Sequence, residues 1–273
     1  MFKVLKNHQI AENTFLAEVE AERIASEYKA GQFIIIRVWE KGERIPLTIA
    51  DADPERGTIT IVYLRIGAST IRLSKLKPGD FIADILGPLG NPSQISHFGK
   101  VIAVGGGVGI AALYPILKEL KNHGNKITSI IGARSKSLLF WEDKIGNVSD
   151  HLIITTDDGS YGRKGLVTIP LKELLESDSY NRVIAIGPVP MMAAIADLTK
   201  RFGVKTVVSL NSIMVDGTGM CGTCRVSVGG CIKFTCVDGP EFDAHLIDFK
   251  EFSNRLKMYR NEEAMLVRRL SGR

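Results

Sequence analysis

VIAVGGGVGIAAL (residues 101–113) runs from an apolar, β-branched stretch into a glycine-rich turn and then into a helical pattern. Gly107, Gly109 and Ala112 satisfy the spacing G-x-G-x-x-G/A, with Gly106 just before them. Glycines at such a turn let backbone approach a pyrophosphate, and the helix that opens at Gly109 and Ile110 presents its positive end to that charge. The motif gains weight from its place, after a strand and before a helix. A tight strand-to-helix turn that holds no ligand would carry the same residues.

The alternation continues on the C-terminal side. KITSIIGA (126–133), HLIITT (151–156), NRVIAIG (181–187) and VKTVVSL (204–210) are further apolar runs, separated by helical patterns such as PVPMMAAIADLTKRFG (188–203). Strand and helix in turn predict a doubly wound, parallel α/β sheet over residues 97–210. The acidic residue expected about twenty positions after the turn is missing, and Arg134 stands at the end of the second strand instead. An arginine there suits a 2′-phosphate, but arginines are common at strand ends, so NAD and NADP both stay open. Two loops at strand C-terminal ends are candidates to border a nicotinamide. One is TDDGSYGRKG (156–165), with Asp157 and Asp158; the other is GPVPMM (187–192), with Gly187, Pro188 and Met191. Ordinary βα connections account equally well for either loop.

Residues 1–96 have a different rhythm. FIIIRVW (33–39), RIPLTIA (44–50) and GTITIVYL (57–64) are short β-rich runs bounded by turn signals such as DADPERG (51–57) and KPGD (77–80). They predict a small antiparallel barrel, with a boundary near LGPLGNPSQ (86–94). Arg44 is a candidate to bind a phosphate or an acidic group. Gly67, Ser69 and Thr70, small and hydroxyl-bearing ahead of a helical stretch, suit a second pyrophosphate site. Val62 and Leu64, on the third run, join the cofactor-binding candidates.

All four cysteines lie in VDGTGMCGTCRVSVGGCIKFTC (215–236). Over the plant-type [2Fe–2S] pattern C-x₄-C-x₂-C…C, Cys221, Cys224 and Cys236 take the second, third and fourth places. Asp216 falls on the first, and Cys231 on none. Three readings remain. Asp216 and the three cysteines hold a cluster; all four cysteines hold it; or the four cysteines form a structural zinc site. A thioredoxin-like use of CGTC is disfavoured, because RVSVGG reads as a strand and not a helix. Residues 211–273 therefore form a cluster segment with a helical tail. In the tail Leu246, Phe249, Phe252, Leu256 and Tyr259 share one helical face, and Asp248 with Glu251 resembles a capping box. Packing of that helix on its own domain is favoured over an exposed partner helix.

Composition is that of an ordinary globular chain: 273 residues, 45% apolar and 24% charged. The net charge of +5 is scattered, with no basic run of the kind a nucleic-acid surface needs. No secretory signal or membrane-length apolar run is visible, so the expected place is the cytoplasm. There thiols stay reduced, which favours metal or redox use of the cysteines.

With these motifs in hand, nearly the whole chain resembles the ferredoxin-NADP reductase superfamily. The resemblance implies an FAD-binding barrel followed by a nicotinamide-binding domain. Its barrel motif R-x-[YP]-[ST] is matched loosely by RIPLT, where Arg44 lies four residues before Thr48. Pro46, Leu47 and Thr48 fit the edge that meets the flavin, and Ile186 stands where the superfamily has cysteine. Adding a C-terminal [2Fe–2S] segment makes the chain similar to dihydroorotate dehydrogenase electron-transfer subunits, which have cysteine at all four ligand places. Aspartate at the first place, with VDGTGMCGTCR and KFTCVDGPEFD, resembles the small subunits of NADH-dependent reduced ferredoxin:NADP⁺ oxidoreductases more closely. That likeness implies FAD, NAD(H) and one [2Fe–2S] cluster held by Asp216, Cys221, Cys224 and Cys236. It also implies electron bifurcation with a larger partner subunit carrying FAD and [4Fe–4S] clusters, on which NADPH and ferredoxin react. The alternatives are the electron-transfer subunit of an NAD-dependent dihydroorotate dehydrogenase and a stand-alone NAD(P)H–flavin reductase.

Overall fold

A computed structural model describes residues 1–270. The N-terminal sheet contains β1 (Phe2–Ala11), β2 (Thr14–Glu20), β3 (Phe33–Arg37), β4 (Arg44–Asp53), β5 (Thr58–Leu64), β6 (Phe81–Ile82) and β7 (Asp84–Leu89). Its order is β6-β1-β2-β5-β4-β3-β7, antiparallel throughout and nearly closed into a barrel. Alternation sets the faces. Ile59, Ile61 and Tyr63 of β5 turn inward and are buried, opposite Val19, Ala17 and Phe15 of β2. Two short helices, α1 (Glu22–Glu27) and α2 (Ala68–Leu73), add Ile24, Ala25 and Leu73 to this core.

The second sheet follows the expected rhythm. β8 (Lys100–Gly106), α3 (Gly109–Asn122), β9 (Lys126–Ala133), α4 (Glu142–Asn147), β10 (His151–Thr156), β11 (Arg163–Lys164), α5 (Thr168–Ser177), β12 (Arg182–Ile186), α6 (Val189–Arg201) and β13 (Thr206–Ser209) succeed one another. The strands are parallel, and the order β11-β10-β9-β8-β12-β13 reverses direction between β8 and β12. That reversal is the switch point at which such sheets bind ligands. The two sheets share a core: Ala50 and Val62 of the barrel pack with Ile110, Ala111 and Ala112 of α3.

Past the cysteine loop, β14 (Arg225–Val228) and β15 (Cys231–Phe234) form a hairpin closed by Gly229 and Gly230. Both glycines have positive φ, 58° and 78°, as a two-residue hairpin turn requires. β16 (Glu241–Asp243) then joins the second sheet antiparallel to β13. The tail differs from the single helix expected. It forms α7 (Phe249–Arg255) and α8 (Arg260–Leu270), interrupted at Tyr259, whose φ is 66°. The apolar stripe accordingly divides. Phe252 is 1% exposed, among Val208, Val226 and Phe242, whereas Leu246 and Tyr259 are 53% and 57% exposed. α7 thus packs on its own domain, as favoured above, and α8 lies beside α2. Asp248 caps α7 by accepting from the Glu251 N–H at 2.8 Å. The other half of the box is not made, because Asp248 N donates to Ser227 O. Among the described residues no helix is long and apolar enough to cross a membrane.

Candidate functional site

The glycine turn lies where the topology asks for a ligand. Gly106 ends β8, Gly107 turns at φ 54° and donates to Gly132 O, and α3 begins at Gly109. A Cβ on Gly109 would lie 2.2 Å from Ile186 O, so only glycine lets α3 pack this closely on the end of β12. On one side of the turn stand Arg134, Asp157 and Asp158: Asp157 N donates to Ala133 O and Asp158 N to Arg134 O. Asp158 is engaged within its own loop, since Oδ1 accepts from the Ser160 hydroxyl and N–H. Those bonds hold its carboxyl below the usual range, the hydroxyl contributing most. On the other side Gly187 follows β12, Pro188 precedes the first turn of α6 and Met191 lies in that turn.

On the barrel, Arg44, Pro46, Leu47 and Thr48 pair with β3 through Arg37, Ile35, Ile34 and Phe33. The β4–β5 ladder begins only at Ile49 opposite Ile61. Residues 44–48 therefore have one edge unpaired with β5, which is where Pro46, lacking an N–H, is tolerated. At the start of α2, Thr70 Oγ1 accepts from Gly67 N at 3.1 Å, and buried Ser69 donates to Glu43 at 2.9 Å. Both hydroxyls thus shape the loop. Leu64 is half-buried, while the Val62 side chain lies in the core shared by the two sheets.

Arg44 also lines a cavity of about 360 Å³ with Ile35, Arg37, Asp84, Leu86, Asp216 and Thr218. Here barrel and cysteine loop meet. Arg37 Nε is buried there without a hydrogen-bond partner, although its guanidinium reaches Glu40 O and Asp84. An orphaned guanidinium N–H beside a second arginine fits an anionic or polar cofactor group. Sequence reasoning missed Arg37 because it is embedded in an apolar run and gains its role only when β3, β7 and the distant loop converge.

The cysteine loop is planted on the barrel. Cys224 and Cys236, each 2% exposed, pack with Phe33, Ile35 and Met214, and their Sγ atoms lie 3.2 Å apart. Burial, and then the Cys224 sulfur beside it, push the Cys236 thiol up to about 12. Cys221 behaves oppositely: burial opposes ionisation, but the Thr223 hydroxyl and N–H outweigh it and lower the thiol. Asp216 accepts from Thr218 N at 2.8 Å and from Cys221 N at 2.7 Å. The Thr218 bond foremost, and the Cys221 bond with it, keep this carboxylate ionised to low pH. The donors fall into two neighbouring pairs, Asp216 with Cys221 and Cys224 with Cys236. Two buried thiolates without a counter-charge would be costly, whereas bound iron would neutralise them, so the donor set fits a two-iron cluster.

Cys231 stands apart. It is exposed and pairs opposite Val228 beside the hairpin turn, three residues along β15 from Phe234, or about 10 Å at strand spacing. The two four-cysteine arrangements considered above would require the hairpin to unzip. A signal for this was present in the sequence: Gly-Gly between RVSV and CIKF is a two-residue hairpin turn, and it sends Cys231 away from Cys224. Among the described residues no three His, Cys, Asp or Glu side chains gather as around a single metal ion.

Comparison with known proteins places the cysteine segment and the whole chain among electron-transfer proteins. Residues 211–248 match the family model for the iron–sulfur cluster binding domain of dihydroorotate dehydrogenase B. A dihydroorotate dehydrogenase B (NAD(+)) electron transfer subunit homolog from Thermotoga maritima is 48% identical over 98% of this chain and 94% of its own. The dihydroorotate dehydrogenase B (NAD(+)) electron transfer subunit of Geobacillus thermodenitrificans is 34% identical over 88% of this chain and 95% of its own. A solved structure of the NADH-dependent reduced ferredoxin-NADP oxidoreductase, described in terms of flavin-based electron bifurcation, superposes with a TM-score of 0.94. It is 47% identical and covers 99% of this chain and 98% of that one.

Proposed function

The chain belongs to the family of dihydroorotate dehydrogenase B electron-transfer subunits, and on that premise we propose that it is the small subunit of an electron-bifurcating NADH-dependent reduced ferredoxin:NADP⁺ oxidoreductase. As an oxidoreductase subunit of this family it uses NAD(H), FAD and a [2Fe–2S] cluster. The observation that carries the finer reading is Asp216. A carboxylate, bonded to the Cys221 N–H at 2.7 Å, stands where the dihydroorotate dehydrogenase pattern has cysteine.

In this reading residues 1–96 hold FAD, 97–210 hold NAD(H) and 211–273 carry the cluster and tail. Gly106, Gly107, Gly109 and Ile110 bind the dinucleotide phosphates, with Arg134, Asp157 and Asp158 toward the adenosine. Gly187, Pro188 and Met191 border the nicotinamide. Pro46, Leu47, Thr48 and Leu64 form the flavin edge, backed by Val62 in the shared core, while Arg44 and the Gly67 turn, shaped by the Ser69 and Thr70 hydroxyls, face its phosphates. Asp216, Cys221, Cys224 and Cys236 ligate iron. Nicotinamide chemistry moves electrons in pairs, cluster chemistry moves them singly, and a flavin can exchange both ways. The protein's part is placement: no side chain acts as nucleophile or general base. The barrel contact through Phe33 and Ile35 holds the cysteine loop beside the cavity that Arg44 lines.

The partner in this reading is a larger cytoplasmic subunit that carries FAD and [4Fe–4S] clusters and meets ferredoxin, so that this chain contacts ferredoxin only indirectly. Anaerobic purification from native cells, with mass spectrometry of what accompanies the chain, tests it. A flavoprotein with [4Fe–4S] motifs is the expected companion. A dihydroorotate dehydrogenase catalytic subunit would replace the finer reading with the other activity of the family.

A further inference from the structure

The turns that follow β8 and β12 meet at the switch point, and one side chain lies across both. Met191, in the first turn of α6, reaches back over them. A Cβ built on Gly106 would lie 2.4 Å from Met191 Sδ, and one on Gly187 would lie 2.5 Å from Met191 Cε. The Gly187 position would also have Gly106 Cα and N at 3.1 Å. Two glycines thus create a cleft that the methionine thioether fills. The other side of the turn is different, for a Cβ on Gly107 would meet nothing within 4 Å. The space beside Gly107 is open, while the space between Gly106 and Gly187, at the end of β12, is filled. In a doubly wound sheet the phosphates and adenosine take the first of these and the nicotinamide takes the second.

Resting on the NAD(H) reading above, we propose that Met191 is a displaceable plug of the nicotinamide subsite: thioether and nicotinamide compete for one volume, and docking requires Met191 to change rotamer. Residue type fits this task. Methionine is unbranched, with three rotatable bonds and a polarisable end, so it fills an irregular gap and leaves it readily. Its neighbour Met192 shows the contrasting case, being 1% exposed in the core beneath α6 and without access to the crevice. The plug is a specificity device. It acts against the nicotinamide half of the ligand and leaves the adenosine half alone.

The test uses the complex as purified and two ligands, NAD⁺ and ADP-ribose, which lacks the nicotinamide. Dissociation constants are measured for wild type, Met191→Ala and Met191→Leu. Alanine is expected to tighten NAD⁺ relative to ADP-ribose by about threefold or more. Leucine keeps the bulk but branches it, and is expected to weaken NAD⁺ while leaving ADP-ribose unchanged. An unchanged NAD⁺ to ADP-ribose ratio in Met191→Ala, or weaker NAD⁺ binding, overturns the plug while leaving the NAD(H) reading intact. Failure of wild type to bind either ligand overturns that reading itself.

Discussion

Gly217→Ala tests whether the cysteine loop depends on its seat against the barrel. Gly217 has φ 74°, and an added Cβ would lie 2.7 Å from Leu89 Cδ1 and 2.8 Å from Ile35 Cγ1. An L-residue in the left-handed region costs about 1–2 kcal/mol. Forcing a methyl into packed neighbours adds about 1–3 kcal/mol. Gly230 separates the two effects. Its φ is 78°, yet nothing lies within 4 Å of a Cβ there, so Gly230→Ala carries the backbone cost without the clash. The difference between the variants, about 1–3 kcal/mol, isolates the loop–barrel contact. Domain stability is typically about 5–15 kcal/mol, so the chain stays folded and the strain falls on the loop. Iron content, the cluster's visible and EPR signals, flavin content and Tm are measured on both variants. Gly217→Ala should lose iron while keeping flavin, and Gly230→Ala should keep both. Equal iron and equal Tm in the two variants would refute the argument that this contact holds the loop.

Replacing Asp216 with alanine should cost the cluster its signal, whereas Cys231→Ser should leave iron content and the EPR spectrum unchanged; the reverse pattern assigns the fourth ligand to Cys231. Burial raises the Glu241 carboxyl above its ordinary value, against the opposing Ser93 hydroxyl and Arg182 charge. The folded state then binds the proton more tightly than the unfolded one, so stability is greatest below the ordinary carboxylate pKa and declines as pH rises through the folded one. Glu241→Gln should therefore flatten the fall in Tm as pH rises above the ordinary carboxylate range, and an unaltered slope would exclude Glu241 as its source. Phe252→Ala empties a position that is 1% exposed and should destabilise by about 3–5 kcal/mol, read by denaturant titration. A loss below about 1 kcal/mol would mean that α7 does not depend on its docking there.

What was legible in the sequence is what local physics dictates. Val101–Val104 followed by glycines, and four more apolar runs at helical separation, leave few folds besides a doubly wound sheet, and the sheet has that form. The tail was only half legible. Spacing placed Phe252 correctly in the core, but periodicity alone does not register that Tyr259 adopts φ 66° and starts a second helix. The cavity shared by Arg37, Arg44 and Asp216 was not legible at all. Arg37 and Asp216 are brought together by tertiary contacts of Ile35 and Leu89 with Gly217, and nothing local to either residue encodes that meeting.

The same nonlocal logic explains why three parts with separate folds keep one geometry. The segment from Gly90 to Phe98 is bonded to all of them in turn. Gln32 donates to Gly90 O, and Ser93 N donates to Ala30 O, on the barrel side. Asn91 reaches Gly239 O and Val237 O, next to Cys236. Gln94 accepts from Arg182 at 2.8 Å, and Ser93 donates to Glu241, on the second sheet. Arg182 itself is 4% exposed and stacks on Phe98 at 3.8 Å. A connection that served only as a tether would have no use for so many polar contacts, and the buried Ser93 and Arg182 side chains among them cost desolvation unless their partners stay in place. Because one short segment carries the bonds to all three parts, a shift of the cysteine loop against the barrel is opposed by bonds to the nucleotide sheet as well. Electron transfer needs fixed separations between its centres more than it needs reactive side chains, and this strap meets that need with backbone and polar side-chain bonds, those of Arg182 and Glu241 among them.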